Sequence, residues 1–372
     1  MTFTRIIKVL IVILSALYVQ INFESESLAS DDASNLLEYS KGIVVSITNE
    51  GMVDLGGISA PYQELLVRFE DGHSQGNTVS VKYGTSFSIN ESQKVKVGDR
   101  VVVSRAFSSG AAEYFIADRY RIDNLLLGLI LFVVLVVIFA RFKGITSVFG
   151  LIFSVLVITY YIVPKLVSGE NPILIVATGT VLIGVVSLYL AHGVSIRTTL
   201  SLVSILVTMI IAVLIAILSV STLKLTGSGS EEAFFLQLSS QKISLQGLLL
   251  GGIIMGVLGV LDDITTAQTA VVYELKRANP KLTWVELYKR GIFVGTEHIT
   301  SLINTLFLAY AGASLPLFLL FTVHSDKPVW VTINSEFVME EIVRSLIGSA
   351  SLVIAVPIST LIAAYYFKDS ES

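Results

Sequence analysis

Two groups of ionisable residues stand out in a chain that is otherwise poor in charge. Asp262-Asp263 closes an apolar run that passes through Gly251, Gly252, Gly256 and Gly259, and Glu297-His298 opens another that carries Ser301, Asn304 and Thr305. Carboxylates, an imidazole and a carboxamide are groups that bind hard cations or pass protons. Asp262, Asp263, Glu297 and His298, with Ser301, Asn304 and Thr305 as neutral partners, therefore form a candidate ion or proton site. An oxygen-rich set with one imidazole suits a divalent cation such as Mg²⁺ or Mn²⁺. On a helix, Glu297, Ser301, Asn304 and Thr305 follow i, i+4, i+7, i+8 and make one stripe, with His298 beside it. Consecutive aspartates point about 100° apart, so Asp262 and Asp263 share a ligand only where the helix breaks. Thr265-Thr266-Ala267-Gln268 has the capping-box pattern and predicts such a break. A plainer reading stands beside each group. The aspartates are then solvated residues at the interfacial end of a span, and the stripe is interhelical hydrogen bonding worth under about 2 kcal/mol per contact. His73, His192 and His324 read as solvated or interfacial.

Other chemistry is excluded. The chain has no cysteine, which removes disulfides, thiolate nucleophiles and zinc–thiolate sites. A net charge of −4 gives no electrostatic footing for nucleic acid. No Gly-rich phosphate loop, HExxH helix or G-x-S-x-G elbow is present. With 53% hydrophobic and only 15% charged residues, much of the chain needs the bilayer as its solvent.

The elements that must position the two groups are legible in the periodicity. Arg5 and Lys8 precede an apolar run from Val9 to Ile21, the shape of a signal peptide or signal anchor within residues 1–30, and Ser27-Leu28-Ala29 is a small-x-small cleavage pattern. Residues 36–120 read as a β domain. Gly42–Ile47, Glu64–Phe69 and Asn77–Val81 are short β-branched runs separated by turn residues, and Val95–Val103 reads as two strands meeting at Gly98-Asp99. A small barrel of OB or SH3 type is the expected form. Residues 123–368 then hold seven apolar segments, near 123–140, 145–167, 172–191, 199–223, 243–262, 297–323 and 342–366. Each is about long enough to cross a hydrocarbon core, which takes roughly 20 helical residues. The fold class expected is an α-helical polytopic membrane bundle of about seven spans, with an N-terminal signal or anchor helix and a small exported β-barrel-like domain.

Basic residues give the orientation. Arg141, Lys143, Arg197, Lys276, Arg277, Lys281, Lys289, Arg290 and Lys368 fall in alternate connections, on the side shared with Arg5 and Lys8, while Arg119 and Arg121 run against the trend. The positive-inside rule puts a helical loop at 263–296 and the C-terminus in the cytoplasm, and the β domain outside. In that loop Thr283-Trp284-Val285-Glu286 is a second capping box, separated from the first by Asn279-Pro280.

The stretch from Gly256 through Leu261-Asp262-Asp263 to Thr265-Thr266-Ala267-Gln268 resembles the YibE/F-like family of bacterial multi-pass membrane proteins. So does Gly295-Thr296-Glu297-His298 through Ser301 and Asn304-Thr305 to Tyr310, Gly312, Ser314 and Pro316. The resemblance covers roughly 123–368. It implies a bacterial plasma-membrane location and carries no activity with it.

Three functions follow from the residues. The first is a transporter or permease component for a small cation, with or without proton coupling, using the ionisable groups on glycine-rich helices. The second is a non-enzymatic envelope protein that senses or assembles with a protein partner through the β domain. The third is a metal-dependent membrane hydrolase in which the same acids and His298 activate water.

Overall fold

The computed structural model describes residues 38–368, apart from 58, 73, 109–110, 240–242, 317–318 and 320–327. The segment expected as a signal or anchor at 1–30, His73 and His324 lie outside the described residues. The chain divides into one unit up to Leu131 and another from Phe132.

The first unit is an antiparallel sheet of β1 (Glu38–Asp54), β2 (Ser59–Phe69), β3 (Thr78–Tyr83), β4 (Arg100–Ser108) and β5 (Ala111–Arg119), ordered β3-β2-β1-β4-β5. The long β1 pairs with β4 through its first half and with β2 over most of its length, and register shifts after Val44 and Ile47 bend it. Gly42 sits where both partners meet β1, and a Cβ there would lie 2.5 Å from Val67. Alternate residues of β2, from Gln63 to Phe69, face inward with Val44, Val81, Val101, Val103 and Ile116.

Two expectations for this unit need correction. The sheet is not a closed barrel, because β3 and β5 are edges with no ladder between them. Val95–Val97 is also not a strand. The Gln63 side chain, 1% exposed, takes the place of a backbone partner there. It accepts from the Val95 amide (2.9 Å) and donates to the Val95 carbonyl (3.1 Å). The segment is thus pinned at one residue and adds no strand that could bridge the edges. Gln63→Leu would strand both backbone groups of Val95, at a cost of about 2 kcal/mol. Faster hydrogen exchange at the Val95 amide in the full-length protein is the expected readout, and unchanged exchange would refute the pinning role.

The rest of the chain is helical, and its first helix begins within the first unit. Its elements are α1 (Ile122–Val157, continued through a π-helical turn at Ile158–Ile162 to Val167), α2 (Pro172–His192), α3 (Ile196–Thr222), the short α4 (Glu231–Ser239), α5 (Leu245–Ala278), α6 (Trp284–Ala313), the short α7 (Val329–Ile333) and α8 (Glu336–Phe367). Six of these helices are long and apolar enough to cross a membrane. The first covers both segments expected at 123–140 and 145–167, and its 46 residues are about twice what one crossing takes. It breaks at Arg141 (φ 52°, ψ −131°). A Cβ on Gly144 would lie 2.6 Å from the Val136 carbonyl oxygen, whereas eight residues of straight helix span about 12 Å, so the chain doubles back there.

α5 is the centre of the second unit and packs against α2, α3, α6 and α8. Ile253, Ile254, Val257, Leu261 and Ile264 are its core face, meeting Val176, Ile205, Ala212, Ile347 and Ala355 from its neighbours. The break expected at Asp262–Thr265 is absent, since α5 runs unbroken from Leu245 to Ala278. Leu261, Ile264 and Thr265 are fully buried, and nothing upstream of Thr265 stops the helix, so packing carries it through a local capping pattern. The second capping box does form. Thr283 and Glu286 exchange hydrogen bonds at the start of α6, and Asn279-Pro280 ends α5. The segment 263–296 is therefore the continuation of two long helices joined by a tight turn.

Candidate functional site

The site begins with the way α5 is held. Its N-cap Ser244 accepts from the Gly247 amide, and Gly247 and Gly251 let α2 come close. A Cβ on them would lie 2.7 Å from Pro172 and 2.8 Å from Val176. Further along, Gly184 of α2 faces Leu258, and His192 and Thr266 line one cavity. α2 has the length of one bilayer crossing, and Asp262 lies one helical turn, roughly 6 Å, before Thr266 along α5.

From Asp262 the core face of α5 turns polar. Asp262 is half-buried, and Thr265, Gln268 and Thr269 are fully buried. Asp262 Oδ1, the hydroxyls of Thr265, Thr266 and Thr269, and Gln268 Oε1 are shielded from solvent with no hydrogen-bond partner among the described residues. Asp262, Thr265, Thr266 and Thr269 follow i, i+3, i+4, i+7 and form one stripe. The packed neighbour α3 carries buried Ser201, Ser204 and Thr208, each donating to a carbonyl one turn back. Ser201 also lies 3.4 Å from the Thr265 carbonyl. The stripe is a line of acceptors and rotatable hydroxyls with spare capacity, which is what a chain of water or a migrating proton requires.

Gln268 anchors the stripe to its neighbours. Its Nε2 donates to the Gly291 carbonyl of α6 and to Thr360 Oγ1 of α8, both at 2.7 Å. Gly291 and Gly295 make that junction possible, since a Cβ on Gly295 would collide with Val356 and press on the Gln268 amide.

A cavity of about 220 Å³ opens beside the stripe, bordered by Thr266, Ser201, Thr198, Lys143, His192 and Arg197. The Arg197 guanidinium lies 4.7 Å from the Tyr273 ring centre, and neither Lys143 nor Arg197 has a carboxylate partner among the described residues. Both Lys143 and the Asp263 carboxylate lie close enough to His192 to act on it electrostatically.

The structure brings some of the expected residues together and separates others. Asp262 heads the buried stripe. Asp263, on the same unbroken helix, is exposed on another face, so the two aspartates do not face each other. Glu297, His298, Ser301, Asn304 and Thr305 do share one side of α6, but all five are exposed, because Gly291 and Gly295 turn the opposite side inward. Among the described residues no three His, Asp or Glu side chains are placed to hold a metal ion. Asp262, Asp263, Glu297 and His298 thus do not form a centre for Mg²⁺ or Mn²⁺ in this structure. Thr265, Thr266, Gln268 and Thr269 were not expected in the site, although the i, i+3, i+4, i+7 spacing from Asp262 is present in the sequence.

Neither a search of curated proteins nor a search of solved structures returns a match to this chain. A family model does match, that of the YibE/F-like protein, over residues 128–369. That range takes in most of the chain, both polar groups and every long helix after the first, so the chain belongs to the YibE/F-like family.

Proposed function

We propose that this protein is a membrane transporter component for a small cation, with the proton as the species that Asp262 carries. The observation that carries the reading is the run of shielded, unpartnered polar atoms from Asp262 to Thr269 on a helix of membrane-crossing length. In hydrocarbon an unsatisfied group is costly, and whereas a threonine hydroxyl can turn onto a carbonyl one turn back, the Asp262 carboxylate has no such local partner and calls for water or a permeant proton. The lack of a ligand cluster among the described residues favours a proton over a divalent ion, since a proton moves along hydrogen bonds and needs no coordination shell. With the basic connections inside, the protein would sit in the bacterial plasma membrane with its sheet outside and the α5–α6 turn in the cytoplasm.

Proteoliposomes with an entrapped pH dye test this directly. An imposed gradient of Na⁺, K⁺, Mg²⁺ or Mn²⁺ is expected to drive a proton flux that Asp262→Asn cuts by at least about tenfold. Proton flux that is absent with every ion, or equal in the variant, would refute the reading.

A further inference from the structure

The cavity where α2 meets α3 holds cations for which the proton path has no use. Lys143 comes from α1, His192 from the end of α2, Arg197 from the first turn of α3 and Thr266 from α5, so four helices build one wall. Lys143, His192 and Arg197 are exposed, whereas Thr198 and Ser201 beside them are buried. Among the described residues no carboxylate lines the cavity. Asp263 is near enough to act on His192, but the Lys143 ammonium acts on that ring more strongly.

The lining is rich in donors that the protein leaves unspent. Neither the Lys143 ammonium nor the Arg197 guanidinium has a hydrogen-bond acceptor among the described residues. Arg197 rests on the Tyr273 ring instead, and a cation held over a ring keeps its N–H groups free. The Thr266 hydroxyl is shielded from solvent and has no partner among the described residues. Ser195 Oγ and Thr198 Oγ1 lie 2.8 Å apart and share one hydrogen, which leaves the other to be donated elsewhere. Ser195 also caps the 27-residue α3, whose Ile196 and Arg197 amides have no acceptor among the described residues. An ammonium, a guanidinium, hydroxyls and the positive end of a long helix all suit one kind of ligand, an oxyanion.

We propose that this cavity binds a phosphate group, supplied by free phosphate or by the headgroup of an anionic lipid. The inference goes beyond the transport reading and does not depend on it. A phosphate has oxygens enough to take two N–H groups of the guanidinium while also meeting the ammonium and a hydroxyl, which a halide cannot do. The volume of about 220 Å³ lies below the roughly 300–1,000 Å³ of pockets that enclose whole cofactors, so the site takes a phosphate with a small substituent and not a nucleotide. Its position admits both sources. His192 ends α2 and Ile196 begins α3, both of membrane-crossing length, so the cavity lies where these helices leave the hydrocarbon and meet lipid phosphates and water.

The test is a calorimetric titration of the full-length protein, stripped of lipid in detergent. One arm adds sodium phosphate, against sodium chloride of equal ionic strength, and the other adds a short-chain phosphatidylglycerol. Saturable binding of at least one probe is expected, and the tighter probe identifies the source. Arg197→Gln and Lys143→Gln are each expected to raise its dissociation constant about tenfold or more, the size of one charge-assisted hydrogen bond. Both positions are exposed, so both variants should fold, which a single monodisperse peak on gel filtration checks. Lys165→Gln removes a cation that is paired with Glu170 ahead of the opposite end of α2, and it should leave binding unchanged. No saturable binding of either probe would overturn the proposal. So would a dissociation constant that Arg197→Gln or Lys143→Gln leaves unchanged, or one that Lys165→Gln raises equally. Binding is read here without a gradient, so its failure would leave the proton flux through Asp262 untouched.

Discussion

Gly295→Val is expected to destabilise the helical unit by about 3 kcal/mol, near the upper end for overpacking a well-filled core. At Gly295 α6 comes closest to both of its neighbours. A Cβ would run into the Val356 side chain of α8 and lie 3.0 Å from both the nitrogen and the oxygen of the Gln268 amide. Neither obstacle yields easily. Val356 is β-branched and 1% exposed, and the Gln268 amide is tied to Gly291 and Thr360. The only relief is for α6 to move away, which would break both Gln268 bonds and open the end of the polar stripe. Gly128→Ala is the matched control, because a Cβ there meets nothing within 4 Å. It should be neutral or gain up to about 1 kcal/mol from helix propensity. Thermal denaturation of the purified protein, followed by the loss of monodisperse material, separates the two. A Gly295→Val protein as stable as the parent would show that the junction is loosely packed.

That junction also shows where the sequence is informative. The long helices are legible because composition alone forces them into an apolar solvent, and hydropathy reports that solvent directly. Capping is less legible, since Thr265 and Thr283 carry the same local pattern with opposite outcomes. What separates them lies upstream. Pro280 ends the helix before Thr283, whereas Leu261 and Ile264 hold the helix in the core ahead of Thr265. In the sheet, Val95–Val97 alternates like a strand, but its fate is set by Gln63, a contact 32 residues away. β5 is hidden by composition, with Ile116 its only β-branched residue. The orientation of α6 was readable from spacing. Gly291 and Gly295 lie one turn apart, and Glu297 lies two residues on, about 200° around the helix. Close packing at the glycines therefore turns Glu297 outward, and the acids of α5 and α6 had no route to a shared centre.

Lys276→Met is expected to cost about 3 kcal/mol and to loosen the whole C-terminal end of α5. The Lys276 side chain is 7% exposed, and its ammonium has three donors. All three are used, on the carbonyls of Pro280 (2.8 Å), Leu282 (3.1 Å) and Lys368 (2.9 Å). One cation therefore closes the C-terminal end of α5, shapes the turn into α6 and ties the end of α8 to both. No carboxylate faces it among the described residues, so charge-assisted bonds to carbonyls alone offset its desolvation. Methionine keeps the stem packed against its surroundings and removes only the charge, which isolates the electrostatic part. Lys276→Arg is the sharper variant. A planar fork cannot direct its donors at three carbonyls gathered round a point, so it should recover only part of the loss. The expected order of thermal stability is parent, then arginine, then methionine. Trypsin cleavage after Lys281, in the α5–α6 turn, should accelerate in the reverse order. An arginine variant equal to the parent would mean that charge alone matters there. A methionine variant equal to the parent would mean that desolvation cancels the three bonds, leaving the fold of that end to Val272, Leu287 and Phe367 beneath it.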